Sequence, residues 1–504
     1  MALRSNYPAP AYSWDDAVQE RRRGPRWPLT HVPGGALGLL GLAALAVALG
    51  VGAALQPVFA LAGAAGALLV VWTVAKPVRG AYLMVLLVPI VVGLGRGKFV
   101  PVLRPNEALI LFVLGVAILC GACGKTTGRV RLGPMTSVDR AFALLFIAGS
   151  VLPLVVQLFR SDKPTVEDTF QLLSLIKYYV GYRLLLALVR DDRQMLTAAK
   201  LMVAASMVVA VIGIMQYARI LGMQEILAGL YDSGQVRQSL EVHRATSTLG
   251  VWQALADYLA VHAALCLGLL AARVPGARGG ATAPHAIRGF WRWALTGALL
   301  LSIAGALATA TLTAVLALLL ALGMMATFGG YLRRAALCAI PLTLVAVILF
   351  LPAIQERLDY QYNSWGADGS MPVTWEYRIT NLTTIFWPAV ENDLLFGVAP
   401  SVSPDLAWQF PENQQMYLLY QGGLIYVAAY FIFMWVVLRA SWRFLKRLDG
   451  PALAVGRAAF IAWTLMLVLG LFDTHLTMAG EADAAWTLLA LATGAAARAA
   501  GEPG

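Results

Sequence analysis

Charge is what this chain has least of. Asp, Glu, Lys and Arg make up 13% of its 504 residues against 59% hydrophobic residues, and mean hydropathy is +0.71. So little polar surface cannot cover a water-soluble globule of this size, which excludes a soluble enzyme or binding module and implies a polytopic membrane protein. Among the few charges, 38 Lys and Arg outnumber 27 Asp and Glu. In such a chain the placement of the cations carries topology, and a nucleic-acid partner is not implied. Cysteine is scarce too: the four residues Cys120, Cys123, Cys266 and Cys338 all lie within or at the ends of apolar runs, so no structural disulfide is expected. Cys120 and Cys123 make a C-x-x-C, but without a second pair or a nearby His it falls short of a zinc set. The polar segments lack Asp-x-Asp pairs and His clusters, and Asp473 and His475 near the last outside turn read as isolated. Metal-independent chemistry with no cofactor is therefore expected.

Other signals are missing too. No internal repeat recurs, and no signal-peptide cleavage pattern follows the Arg-rich residues 1–34, which read as a cytoplasmic lead-in. GACGKTTGR, Gly121 to Arg129, imitates a phosphate-binding loop but has Leu119 where the first Gly is required, and no strand precedes it.

What is abundant is apolar sequence in runs long enough to cross about 30 Å of hydrocarbon. About fourteen spans are expected (12–14), at 35–55, 57–76, 80–95, 106–123, 139–159, 169–189, 197–217, 250–272, 291–309, 312–328, 335–353, 416–438, 457–474 and 482–499. The fold class is an all-α, polytopic transmembrane helix bundle. Basic clusters at alternate ends, from Lys76 and Arg79 to Arg439 and Arg447, put both termini inside by the positive-inside rule. That leaves two segments outside: a short one at 220–249 and a long polar one at 354–415, followed by C-terminal membrane helices over 416–504. Arg96, Lys98 and Arg104 are the exception, since the same count places them outside. Two cations fall inside the sixth run: Arg183, which can snorkel to the cytoplasmic face, and Lys177, about 12 Å in from the outer end. Lys177 either lines a polar cavity or pairs structurally.

The outside segments carry the chemistry. Arg237, His243 and Arg244 precede a re-entering helix that Thr246, Ser247 and Thr248 can cap. Cations at a helix N-terminus suit an anion, at this face a lipid-linked phosphate or diphosphate; contact with lipid headgroups is the plainer alternative. The long segment adds Arg357, Arg378, Glu376, Glu391, Asp393, Asp405 and Glu412, with Trp365, Trp375, Tyr377, Trp387 and Trp408. Aromatic faces beside carboxylates suit sugars, and equally an interfacial aromatic belt.

Three segments in order, RATSTLGVWQALADYL from Arg244, WEYRITNLTTIFWPAVENDLLFGVAP and PENQQMYLLYQGGLIYVAAY, resemble the O-antigen ligase and O-antigen polymerase superfamily. The resemblance implies a glycosyltransferase of surface-polysaccharide assembly in the bacterial inner membrane, acting at the periplasmic face on undecaprenyl-diphosphate-linked glycan. It implies Arg244 and Arg378 as diphosphate ligands, with Arg237 in support and Lys177 added from its burial. Glu412 becomes the base, oriented by Asn413, with His243 as the rival base; Trp365, Trp375 and Tyr377 form a sugar platform. Membrane lipid and a chain-length regulator or other polysaccharide-assembly proteins are the implied partners. The chain departs from the family at Glu412, where ligases carry His, at Gln253 for Asn, at Thr311-Leu312 for Ser-Arg and at Ala399 for Gly. The acid-Asn form favours a polymerase over a ligase attaching glycan to lipid A core; a lipid-linked oligosaccharide flippase is the alternative from another class.

Overall fold

The computed structural model describes residues 57–96, 103–122, 135–160, 165–272 apart from 232, 289–349, isolated positions between 351 and 359, 373–402, 406 and 411–501. The chain divides into two units, residues 1–69 and 70–504. The expected first span at 35–55 and Lys98, Cys123, Arg357, Trp365, Asp405 and Trp408 lie outside the described residues.

Every regular element described is helical. They are α1 Pro57–Ala75, α2 Val78–Val91, α3 Pro105–Ala122, α4 Ser137–Phe159 with a π-helical turn at Ile147–Val151, α5 Val166–Leu188, α6 Asp192–Tyr217, α7 Met223–Leu230, α8 Gly234–Gln238, α9 Trp252–Ala271, α10 Phe290–Leu307, α11 Leu312–Thr327, α12 Gly330–Leu349, α13 Val373–Thr380, α14 Trp387–Val390, α15 Gln414–Arg447, α16 Gly450–Leu469 and α17 Glu481–Ala499. Six of them, α4, α6, α9, α10, α15 and α16, have the length and composition to cross a membrane. The third expected span is a short helix, α2, with Pro89 inside it.

At the centre stands α9, packed against α6, α10, α11, α12, α16 and α17. It is buried on all sides from Ala254 to Leu269, as an all-round apolar helix must be. Small residues permit the approach. A Cβ on Gly305 would stand 2.8 Å from Leu259 and one on Gly268 3.2 Å from Ala454, the close contact that small residues provide between helices. The bundle's outside is greasy: Phe431, Ile432 and Trp435 on α15, and Phe290 and Trp293 on α10, are exposed. Apolar patches of this kind mark a lipid-facing surface.

Two of the cations singled out by sequence are paired. Arg183 Nη1 donates to Asp139 Oδ2 at 3.1 Å. Asp139 is the third residue of α4, closing a capping box with Thr136 and accepting from the Tyr179 hydroxyl, so its carboxylate is an available buried partner. Arg96, anomalous by charge count, pairs with Glu107 at 3.1 Å and lies 3.7 Å over the Phe170 ring.

Candidate functional site

Between α12 and α15 the chain is not a featureless connection. Helices α13 and α14, joined by a π-helical turn at Asn381–Phe386, bury Phe386 and Val390 against Tyr420 of α15 in a small core of their own. The residues after α14 are strapped down. Arg160 at the end of α4 donates to Val398 O (2.8 Å) and to Asp393 Oδ1 (2.5 Å), and Ser401 donates to Asp168 at the start of α5. The strap meets α15 where that helix breaks at Gly423 (φ 66°, ψ −163°). There Val398 N donates to Tyr420 O and Leu424 N to Leu394 O, and a Cβ on Gly423 would lie 2.3 Å from the Leu395 backbone. Gly397 (φ 78°) is equally confined, 2.6 Å from Gly422 N by the same construction. Both positions need glycine because a side chain would collide and the φ is left-handed.

This scaffold sets two residues singled out by sequence against each other. Arg378, in the last turn of α13, donates from Nε to Glu412 Oε2 at 2.6 Å, with side-chain exposures of 22% and 25%. Glu412 holds a left-handed φ of 48°, a conformation that costs a non-glycine residue about 1–3 kcal/mol. Asn413 caps α15: its side chain accepts from Met416 N at 2.8 Å and donates to Leu471 O at 3.0 Å. Its two polar atoms thus serve the helix start and the 470–480 connection. Gln414 adds two ties to the same connection, its backbone N–H donating to Gly470 O and its side-chain Oε1 accepting from Leu476 N. Trp375 is exposed and meets Phe472 edge-on at 6.1 Å. The Tyr377 hydroxyl is raised above its ordinary pKa by burial and, further, by the charge of Glu412.

The 220–249 segment is built differently from expectation. Thr246 N and Ser247 N do not face outward; both donate to Gln216 Oε1, at 2.8 and 2.7 Å. The buried carboxamide of Gln216 needs donors and takes these. Thr248 donates to Pro89 O, and α9 starts at Val251 without a side-chain cap. Arg244 is fixed by Thr309 O at 3.1 Å and by the Trp252 ring, 3.5 Å from its guanidinium carbon. His243 is exposed beside Tyr217, and Arg237 is exposed on α8. Lys177 lines a cavity of ≈ 40 Å³ with Asp483, His262 and Tyr258, room for about two or three waters.

His475 overturns the expectation that it stands alone. Its Nδ1 lies 2.7 Å from Glu481 Oε2 and 3.3 Å from Asp257 Oδ2, and all three side chains are buried. Burial alone would lower the pKa of this connection histidine; the Glu481 and Asp257 carboxylates outweigh it and push it up to about 10. The sequence separates Asp257 from His475 by more than two hundred residues, and no local pattern joins them. The arrangement also links the two polar segments. Asp257 lies about 7.5 Å along α9 from Trp252, which holds Arg244, while the His475 connection holds Asn413 and Trp375. No family model and no curated protein matches the chain.

Proposed function

We propose that the protein is a membrane glycosyltransferase that polymerises undecaprenyl-diphosphate-linked repeat units at the periplasmic face of the bacterial inner membrane. About fourteen helices cross, both termini are cytoplasmic, and the 354–415 segment with 220–249 faces outside. The observation that carries the reading is the Arg378–Glu412 pair, a cation and a carboxylate brought together from α13 and the start of α15, partly open to solvent and beside the exposed Trp375.

In this reading the donor diphosphate draws the Arg378 guanidinium to itself, a bidentate partner that a carboxylate shares with it only until the phosphate arrives. Glu412 is then free to take the proton of an acceptor sugar hydroxyl. The hydroxyl oxygen forms a bond to the anomeric carbon as the bond to the diphosphate oxygen breaks, with inversion. The departing charge is stabilised by Arg378 and Arg244, with Arg237 in support. His243, exposed beside Arg244, is the rival base. Trp375, Tyr377 and Trp365 supply the sugar platform, and the chemistry needs no metal. Chain-length regulators and other assembly proteins are the expected partners.

Transport is the second reading, and buried charge favours it: Lys177 and Asp483 share a cavity, and Asp257, His475 and Glu481 form a buried cluster of their own. Charges inside a bundle and interrupted helices are what a transporter needs.

Purified protein given lipid-linked repeat units decides between them. A product ladder is expected, lost in Arg378→Ala and Arg244→Ala while both variants stay inserted and monodisperse. One shifted band on a core lipid means a ligase, and no product from inserted, monodisperse protein favours transport. Full activity in Glu412→Gln moves the base to His243.

A further inference from the structure

We infer that Asp257, His475 and Glu481 form a binding site for one divalent transition-metal ion, zinc or manganese, that clamps the outer ends of α9 and α17 to the connection between α16 and α17. This goes beyond the glycosyl-transfer reading and does not depend on it. One ligand atom from each of the three residues lies within 4.8 Å of the others. A tetrahedral ion with bonds of about 2.0–2.2 Å holds its ligands about 3.4 Å apart. The observed 2.7 and 3.3 Å from His475 Nδ1 are both shorter than that spacing, so these two contacts need to open by less than about 1 Å to admit the ion.

The oxygens themselves ask for a cation. Glu481 Oε1 and both carboxylate oxygens of Asp257 are buried and accept no hydrogen bond, in residues each 1% exposed. A buried carboxylate without donors is costly. A dication bound to the neutral imidazole would give these buried oxygens a partner. Mixed imidazole and carboxylate donors suit zinc or manganese better than magnesium or calcium, which take oxygen alone. The site has a mechanical context as well. The same connection receives the Tyr178 hydroxyl on Thr477 O (2.9 Å) and holds the cap of α15 through Gln414 and Asn413. A clamp there would fix the start of α15, where Glu412 stands.

The full-length protein in detergent, stripped with chelator and desalted after addition of zinc or manganese, tests this by elemental analysis and thermal unfolding. About one ion per chain is expected to remain, with a higher unfolding temperature, and His475→Asn or Glu481→Gln should weaken retention at least tenfold. Cobalt gives a second readout that needs no variant, since N/O ligation of low coordination number should produce visible absorption bands in the wild-type protein. Retention below about a tenth of an ion per chain with no thermal shift for either metal overturns the proposal. So does retention that both variants leave unchanged.

Discussion

At the scale of single residues, the pairing of Asp139 with Arg183 shows how a charge is kept inside this bundle. The Asp139 carboxylate accepts from Arg183, from the Tyr179 hydroxyl and from the Thr136 backbone and hydroxyl. Removing the arginine leaves a buried acid that still has three donors, so Arg183→Met should cost about 1–3 kcal/mol, the usual loss for one charged hydrogen bond with its partner left behind. Asp139→Asn strikes the cap, the tyrosine and the arginine together and should cost more. The double variant should be less destabilised than the sum, because the two changes remove one shared interaction. Thermal unfolding of the three variants in one detergent checks this; strict additivity would mean the pair contributes nothing. Sequence reading found Arg183 by its charge in an apolar run but could not name its partner, which sits 44 positions away on another helix. The same holds for Arg378 and Glu412. Each was legible as a reactive residue type in a polar segment, while their contact depends on how α13 folds back to α15. The Thr246 and Ser247 amides misled for a related reason: Gln216, 30 positions earlier, takes what looks like a free helix start.

At the scale of elements, α15 is the informative case. Its apolar run suggested 416–438, but the helix runs Gln414–Arg447, since hydropathy ends where the basic residues begin and backbone hydrogen bonding does not. The opposite shift occurs at α16, expected at 457–474 and found at Gly450–Leu469. Arg457, stacked 5.1 Å from the Phe328 ring, lies within that helix, and the apolar residues after Gly470 continue the hydropathy without continuing the helix. The break at Gly423 was not legible at all, because one of two adjacent glycines in an apolar run gives no sign of which neighbour presses on it. Gly423→Ala should therefore destabilise by more than the about 1–3 kcal/mol that backbone strain alone carries, since the added carbon meets Leu395 backbone at 2.3 Å. Gly115→Ala in α3, where nothing lies within 4 Å, should be neutral or stabilising by up to about 1 kcal/mol. Equal unfolding temperatures for the two variants would contradict the docking of the 394–398 strap.

At the scale of the whole molecule, helix content and the location of the apolar runs were legible because length and hydropathy alone specify them. Membrane sidedness rests on the cations, and it is directly measurable. In a variant with the native cysteines replaced, Glu391→Cys should react with an impermeant thiol reagent added outside intact cells, and Arg193→Cys should react only after the membrane is opened; both positions are exposed. The reverse pattern would invert the topology and move the Arg378–Glu412 pair to the cytoplasm.

The broken helix has one more consequence. Unbroken, 34 residues would make a rod of about 51 Å, far beyond the hydrocarbon thickness. The break leaves about 36 Å after Gly423 to meet the lipid and a short arm before it, tied to Gly470 and Leu471. Hydrophobic mismatch in a thinner or thicker bilayer is absorbed by tilting the long arm. The short arm takes its own direction from those bonds and from the Val398 N–H on Tyr420 O, so Glu412 stands on a piece of chain that is not part of the straight run matched to the bilayer.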